Sequence, residues 1–197
     1  MDQLSARGLL VTTLADELKI HSIQRSKVVS IAMNAKESIL QTGHLADIVM
    51  WIDDNTGKWS SSTYYNEQLP SWVNRKNEQN AIQNYMEMVW EPLYPINYYY
   101  VTQSREFTTK SFSYPLKKMT MGKNGVKEFK KTPFANTCIR EMAVEAIEQE
   151  TLGRDIFPDV LLLNFRLQSY PQASDLTVEL EDAYVRLDND IKMILEA

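Results

Sequence analysis

The chain has 197 residues, which is room for one ordinary domain or for a domain with a modest insertion. Its formal net charge is −5 and hydrophobic residues make up 44% of it, which excludes a disordered chain, a collagen-like chain and a strongly basic nucleic-acid binder. The single cysteine, Cys138, excludes an intrachain disulfide framework and a Cys-based zinc cluster. No apolar run approaches the roughly 20 residues that span a bilayer, and we expect no signal peptide from the sequence that starts at Met1.

The first 57 residues predict alternating helices and strands. Leu10, Leu14 and Leu18 recur at helical spacing, with acidic residues on another face. Two short apolar, β-branched runs are typical of buried strands, and the turn sequence 53–57 follows the second. The predicted elements are a helix over 8–21 and strands over 27–33 and 48–52.

The last 66 residues repeat this alternation. Thr132 and Pro133 supply an N-cap and a first-turn proline, and an apolar stripe then runs as far as Gly153. The predicted elements are a helix over 133–152, a buried strand over 160–165 and a helix over 177–197. Continuous apolar strands that alternate with amphipathic helices favour an α/β fold with a mostly parallel sheet.

The middle of the chain differs in composition from both flanks. Thirteen of the twenty aromatic residues lie between Trp59 and Tyr114, and residues 101–131 carry a net charge of +6, whereas residues 141–197 carry −9. We therefore expect residues 58–131 to form an inserted, cap-like α+β lobe with a helix over 78–90. Residues 1–57 and 132–197 would then form the α/β core.

The residues alone give few candidates for chemistry, because no nucleophile elbow, P-loop, dinucleotide fingerprint or zinc-protease motif is present. Asp53 and Asp54 follow a strand, where metal or phosphate sites occur, but a turn and cap pair is the favoured interpretation. His44 is a conceivable general base and is better interpreted as a structural histidine. Cys138 is most simply a small buried hydrophobic residue.

Two surface features have a functional and a structural interpretation. The basic stretch 105–131 could meet phosphates, but its lysines share no single helical face, which favours a solvated surface. The cluster Tyr98-Tyr99-Tyr100 could stack on a base or a sugar, although aromatic residues in a small lobe usually form its core.

Several segments together resemble the alkaline phosphatase superfamily. The similar segments, in the family's order, are 9–18, 25–32, 46–53, 57–65, 132–137, 158–161 and 181–188. They are most similar to the monoesterase branch with a threonine nucleophile and to the type I phosphodiesterase/nucleotide pyrophosphatase group. The resemblance implies a partial alkaline-phosphatase-like sandwich with an inserted lobe. Because the family's nucleophile precedes the first segment and further ligands follow the last, we expect the chain to be a central segment of a longer protein.

The resemblance also implies a catalytic site that is degenerate in this chain. Family enzymes hold two zinc ions through Asp and His ligands, and one ligand loop would follow the strand 160–165. There, Ser169 replaces the expected Asp and no histidine follows. Gln172 is a weak ligand, and Asp175 lies too far along. The family's phosphate-contacting Lys and Arg correspond to Asn34 and Lys36. Asn34 carries no charge, and Lys36 offers a point charge where the forked guanidinium of arginine would be expected.

We therefore expect neither a catalytic residue nor a metal ligand in this chain, and no cofactor, although intact family members hold a zinc pair. The first functional hypothesis is an inactive fragment or degenerate member, a pseudoenzyme with a binding or scaffolding role. The alternative is a part of an active metal-dependent phosphoester hydrolase whose remaining site residues lie outside this chain. We expect self-association or a partner chain that completes the sheet, no nucleic acid and no membrane span. The resemblance implies a periplasmic location.

Overall fold

The computed structural model describes residues 4–103, 111–168 and 177–197. Helices and strands alternate in both flanks, and short elements fill the middle. The α-helices are α1 (Leu14–His21), α2 (Ala35–Thr42), α3 (Ser71–Glu78), α4 (Ala81–Met86), α5 (Leu116–Met119), α6 (Gly125–Phe129), α7 (Pro133–Gln149) and α8 (Val178–Leu195). The strands are β1 (Val28–Ala32), β2 (Ile48–Ile52), β3 (Trp59–Ser60), β4 (Val89–Trp90), β5 (Tyr114–Pro115) and β6 (Val160–Asn164).

The main sheet has the strand order β3-β2-β1-β6. Strand β1 pairs in parallel with β2 on one side and with β6 on the other, while β3 pairs antiparallel with β2. All three predicted strands are therefore confirmed, and so is the α/β class with a mostly parallel sheet. The side chains of β1 and β2 are buried throughout, as expected for parallel strands covered on both faces.

Helices cover the two faces of this sheet. On one face, Val29, Ile31 and Met50 pack into a large core with the apolar side of α7. On the other face, Ile39 of α2 packs with Val49 and Trp51. The alternation of neighbouring strand residues between these two cores gives the layer order α2, sheet, α7.

A small polar cluster sits between α2 and the sheet. The hydroxyl of Ser30 lies 2.9 Å from the hydroxyl of Ser38, and Ser38 also donates to the backbone oxygen of Met50 at 3.0 Å. Both serines are fully buried, so these hydrogen bonds fix how α2 lies on β1 and β2. The sequence analysis did not predict α2.

The first predicted helix is shorter than expected. It begins at Leu14 because Thr13 forms a capping box with Asp16, in which each side chain accepts from the other residue's backbone N–H. The leucine stripe does not face the core: Leu10 is 94% and Leu14 is 82% exposed, whereas Asp16 and Lys19 are buried. The helical spacing predicted the helix correctly, but the buried face of this helix is not the one that carries Leu14.

Strand β6 corrects a second expectation. Its apolar sequence predicted a buried strand, yet all five residues are half-buried. The reason is its place at the edge of the sheet, since β1 is its one strand neighbour in the part of the chain that the structure describes. An apolar run thus marks a strand without fixing how many neighbours cover it.

The described parts of residues 58–131 contain short elements, with no helix longer than the eight residues of α3. The helix expected over 78–90 is replaced by the end of α3, by α4 and by β4, with Asn80 in the left-handed region at φ +52° between the two helices. Trp59 and Ser60 extend the main sheet, and β4 pairs with β5 in a separate two-stranded sheet. The division into a core and an inserted lobe stays a prediction, because the large core runs through both parts.

The two longest helices close one side of the molecule. Helix α7 begins at Pro133 as predicted, although the hydroxyl of Thr132 donates to the backbone oxygen of Phe129 instead of capping the helix. Helix α8 packs along α7. Neither these nor the other helices of the described ranges combine the length and the apolar character needed to cross a membrane.

Candidate functional site

The candidate site lies at the carboxyl ends of the parallel strands. Asn34 follows β1, Asp54 follows β2 and Arg166 follows β6. The connection from β1 crosses one face of the sheet through α2, whereas α7, which leads to β6, covers the other face. Crevices at such topological switch points are the usual ligand sites of open α/β sheets.

Lys130 is the centre of the polar contacts at this end of the sheet. Its ammonium donates to the side-chain oxygen of Asn34 at 3.1 Å, to the backbone oxygen of Ile52 at 2.7 Å and to a carboxylate oxygen of Asp54 at 2.6 Å. The side chain is 8% exposed, so this cation is buried and fully engaged. Lys130 therefore holds the ends of β1 and β2 together and has no N–H group left for a ligand.

A basic pocket of about 280 Å³ opens beside Lys130. We call it the basic pocket; its lining residues are Asn34, Asp54, Lys127, Lys130, Lys131, Arg166 and Gln168. Four basic side chains and one carboxylate give this lining a formal net charge of +3. The solvated surface expected for the stretch 105–131 is wrong for Lys130, which is buried, whereas Lys127 and Lys131 are exposed. Arg105 and Lys110 lie outside the described residues.

Sequence reasoning missed this pocket because its residues come from distant segments. Lys127, Lys130 and Lys131 are close together in the sequence, but Arg166 lies about 35 residues further along and Asn34 and Asp54 lie far before them. A signal was nevertheless available. Arg166 comes two residues after an apolar strand and Asp54 two residues after another, and parallel strands end at the same edge of a sheet.

The two positions that the resemblance assigned to phosphate contact differ in environment. Asn34 occupies the N-cap position of α2 and lines the basic pocket, and its side-chain oxygen is held by Lys130. Lys36 is exposed, is no part of that lining and has no hydrogen bond or ion pair within the described part of the chain. Asn34 thus lies at the pocket, while the role of both residues in phosphate contact stays a prediction.

Asp53 and His44 have structural partners, as the sequence favoured. One carboxylate oxygen of Asp53 accepts from the backbone N–H groups of Asn55 and Thr56, which is a turn cap. The two ring nitrogens of His44 lie 3.1 Å from a carboxylate oxygen of Asp16 and from the backbone oxygen of Leu9. His44 therefore joins α1 to the loop after α2.

Gly43 allows this arrangement. Its φ of +80° suits glycine, and a Cβ atom at this position would overlap the carboxylate of Asp16. Burial alone would raise the pKa of Asp16, but hydrogen bonds from Thr13, His44 and Leu45 hold it below the ordinary value of 3.8. Asp16 is therefore an ionised anchor for several backbone N–H groups.

Of the tyrosine cluster only Tyr99 belongs to the core, and Cys138 is buried as well. Tyr98 and Tyr100 are exposed, whereas Tyr99 is buried and its hydroxyl donates to Asp182 at 2.7 Å. Burial, together with this hydrogen bond, raises the pKa of Tyr99 to about 12. Cys138 is buried in α7, and burial raises the pKa of its thiol well above the ordinary value. Cys138 is therefore a buried thiol and not a reactive one.

The residues that the structure describes do not fit a zinc pair. In residues 4–103, 111–168 and 177–197, no three His, Cys, Asp or Glu side chains converge as a metal site requires. Ser169, Gln172 and Asp175, the positions of the expected ligand loop, lie outside the described residues. We therefore derive no chemical step through zinc.

Named relatives place the chain in a family. It is 35% identical over 202 residues to a Myroides odoratus protein named calcium-transporting ATPase, and 38% identical over 199 residues to alkaline phosphatase PhoV of Synechococcus elongatus. Each alignment covers 96% of this chain. The crystal structure of wild-type alkaline phosphatase PafA superposes with a TM-score of 0.85 and 34% identity over 98% of this chain. No protein-family model matches the chain.

The matches cover a small share of each relative. The chain spans 37% and 36% of the length of the two curated relatives and 39% of the PafA chain. Over that share, sequence identity and superposition both run through nearly the whole of this chain, in agreement with the fold described above. The chain therefore belongs to the alkaline phosphatase superfamily.

Proposed function

We propose that this chain is a non-catalytic member of its superfamily, a pseudoenzyme that binds a ligand at the carboxyl ends of its strands and does not hydrolyse phosphate esters. The observation that carries the proposal is the state of Asn34. This residue stands where the resemblance expects a phosphate-contacting lysine, and its oxygen is held by Lys130. The cation of Lys130 is in turn neutralised by Asp54 at 2.6 Å.

Two further features support this proposal. Lys36, in the place of the expected arginine, offers a single exposed ammonium. An ammonium cannot bind two oxygens of a phosphate through two parallel hydrogen bonds, as a guanidinium does. Among the residues described, no cluster of metal ligands is present that would lower the pKa of a nucleophile or stabilise a leaving oxygen. Each defect alone would slow phosphate transfer severely.

The test is turnover by the purified chain. We expect no hydrolysis of p-nitrophenyl phosphate or of its bis-ester above a metal-free control when zinc is added, and no stoichiometric zinc in the protein. PhoV of Synechococcus elongatus, assayed in parallel, serves as the positive control. Turnover above the metal-free control, or about two zinc ions retained per chain, would overturn the proposal.

The alternative is that the chain is part of an active phosphoester hydrolase whose other site residues lie elsewhere. The observation that favours it is the share of 36–37% that the chain covers in the curated relatives. The same assay decides it when repeated on a polypeptide extended by the sequence encoded on either side. Zinc-dependent turnover by the longer polypeptide, and not by this chain, would support the alternative.

A further inference from the structure

We propose that the outer edge of β6 and an apolar stripe of α8 accept one extended apolar segment from a polypeptide outside this chain. The segment adds to the main sheet as a strand parallel to β6 and is covered by α8. We call this region the acceptor surface; it consists of Leu161, Leu163, Tyr184, Leu187, Ile191 and Leu195. It contains none of the residues that line the basic pocket, so the proposal is independent of what that pocket binds and of turnover.

The first observation is the backbone of β6 on the side away from β1. The N–H of Val160 donates to the backbone oxygen of Lys27 at 2.8 Å. Because N–H groups alternate in direction along a strand, those of Leu161 and Leu163 point away from β1. No acceptor for either group lies in the part of the chain that the structure describes. An edge of this kind is a template for a further strand.

The side chains of β6 also lack a neighbour. All five residues of β6 are half-buried, whereas all five residues of β1, which has a strand on each side, are buried. Leu161 and Leu163 pack against the margin of the large core. A further apolar strand beside β6 would therefore remove apolar surface from water on both faces of the sheet.

Helix α8 carries a second apolar stripe besides its buried side, which includes Asp190. Leu187, Ile191 and Leu195 follow each other at intervals of four residues, and Tyr184 lies three residues before them, so the four share one side of the helix. Tyr184 is 56%, Ile191 is 41% and Leu195 is 82% exposed, and Leu187 is half-buried. A contiguous exposed apolar stripe of this kind marks an interaction surface.

The stripe and the edge of β6 lie on the same side of α7. Asn136 and Arg140 are one turn apart on α7, so their side chains lie on one face of that helix. Asn136 bonds the backbone N–H of Arg166, just after β6, at 3.0 Å. Arg140 bonds Asp190 of α8 at 3.2 Å. Helix α8 therefore lies on the β6 side of α7.

The order of the strands shows where a strand covered by α8 fits. The connection from β2 to β6 passes through α7 and crosses the sheet from β2 past β1 to β6. Crossovers between parallel strands are right-handed in nearly all proteins, so successive crossovers on one face advance in the same direction. Helix α8 follows β6 and packs along α7, which covers that face. A strand covered by α8 therefore belongs outside β6, next to its unpaired edge.

Charge defines the occupant further. Asp155 and Asp159 precede β6, and residues 141–197 carry a net charge of −9. An apolar segment with basic residues at its amino end matches this surface, since it would run parallel to β6, whereas a second copy would bring the same acidic residues. The curated relatives extend well beyond the 36–37% of their length that this chain matches, which leaves ample sequence for such a segment.

The experiment uses a fluorescent peptide with the sequence of residues 25–33, because this segment contains β1, which already pairs in parallel with β6, and has Arg25 and Lys27 at its amino end. Fluorescence anisotropy should give a dissociation constant of roughly 10–500 µM for the purified chain. The matched peptide with Val29→Pro and Ser30→Pro should not bind, because proline lacks the N–H that a strand donates. Equal binding of the two peptides, or binding of neither, overturns the inference.

Hydrogen exchange measured by NMR locates the bound peptide. Saturation with the peptide should slow exchange at the amides of Leu161 and Leu163 by roughly tenfold or more, because they gain acceptors. The amide of Leu162 points toward β1 and is the internal control, with exchange that should change little. Peptide binding without protection at Leu161 and Leu163 overturns the inference.

Variants of α8 test its part of the acceptor surface. Ile191→Lys and Tyr184→Lys should each weaken peptide binding roughly tenfold, because each places an ammonium where apolar contact is expected. Met193→Lys is the matched control, since Met193 is 49% exposed and lies on another side of the same helix. Circular dichroism and melting temperature verify that the three variants fold.

Two results would assign the surface differently. Equal weakening by the control and by both variants would identify repulsion of the basic peptide by added charge and overturn the inference. A mass in light scattering that doubles with concentration, falls back in Ile191→Lys and is accompanied by no peptide binding would assign the surface to a second copy and also overturn it.

Discussion

The main sheet and the segment 58–131 share one apolar core but differ in their polar contacts. Strand β1 is buried at all five residues between two parallel neighbours, and its stability is spread over many apolar contacts. The segment 58–131 has two-residue strands and short helices, and it is joined to α8 by hydrogen bonds to carboxylates of that helix, of which only Asp182 is fully buried. Asp182 accepts from the Trp90 indole, the Leu93 backbone N–H and the Tyr99 hydroxyl, each at 2.7 Å.

This difference shows where each region is vulnerable. The free energy gained by burying apolar surface is nearly proportional to the buried area. The loss of one side chain from the sheet therefore removes only a share of the total stabilisation. A fully buried carboxylate with several donors behaves differently, because its removal leaves every donor without a partner. Arg186, which donates to Asp182 at 2.7 Å, would also lose its charge partner.

Asp182→Ala is expected to have the largest effect. It should lower the free energy of unfolding by about 3–5 kcal/mol, because it breaks a buried ion pair and leaves buried donors unsatisfied. Denaturant unfolding followed by tryptophan fluorescence measures this, with Trp90 itself next to the substitution. Asp188→Ala, an exposed aspartate of the same helix, is the control. A loss no greater than that of the control would refute the role of Asp182.

Ile31→Ala tests the sheet side of the comparison. Ile31 is fully buried in β1, so its truncation should cost about 3 kcal/mol, through lost burial and the cavity left behind. The matching truncation in the edge strand, Leu162→Ala, should cost about 1 kcal/mol, because Leu162 is half-buried. If both variants lost the same free energy of unfolding, β6 would be as well covered in solution as β1.

Asp16→Asn probes a polar anchor of the sheet region. Its backbone donors lose an ionised acceptor, so we expect a loss of about 1–2 kcal/mol at neutral pH. Glu17→Gln, exposed in the same turn, is the control. A loss of stability in Glu17→Gln without a loss in Asp16→Asn would contradict the assignment of Asp16 as the anchor.

The same variant predicts a pH dependence. The pKa of Asp16 is lower in the folded chain than its ordinary value of 3.8, so its contribution is present above that value and is lost as the pH falls below it. The difference between the native chain and Asp16→Asn should therefore shrink in acid. Burial raises the pKa of Asp190 despite its contacts with Arg140 and Thr137, and because the variant keeps Asp190, the difference isolates Asp16. A difference that stays constant down to acid pH would contradict this sign.

The smallest expected effect is self-association, because the fraction of associated chains depends on the protein concentration. Strand β6 lies half-buried at a sheet edge, and Leu10, Leu14 and Ile156 are each more than four-fifths exposed. Exposed apolar surface of this kind favours a second chain or a partner. We propose self-association, visible in light scattering as a mass that rises with protein concentration. A constant monomer mass would contradict it.

The sequence predicted the sheet strands well for a clear physical reason. Short apolar, β-branched runs at 28–32, 48–52 and 160–164 have few alternatives, because a parallel strand needs apolar residues on both faces. Helix α2 escaped detection since its inward face is made of Ser38, Ile39 and Thr42, of which only Ile39 is apolar. Patterns of apolar spacing cannot reveal a face that is held by serine hydroxyl groups.

By itself, the sequence determined the α/β class, the positions of β1, β2 and β6, the start of α7 and the resemblance to the alkaline phosphatase superfamily. These features depend on the local spacing of apolar residues or on residue identity, and both can be read directly from the sequence. Only the tertiary structure decided that the Leu10 and Leu14 stripe faces outward and that β6 is an edge strand. It also decided that Lys127, Lys130 and Arg166 line one pocket. The physical reason is that burial and convergence depend on which distant segments become neighbours, and one-dimensional spacing does not contain that information.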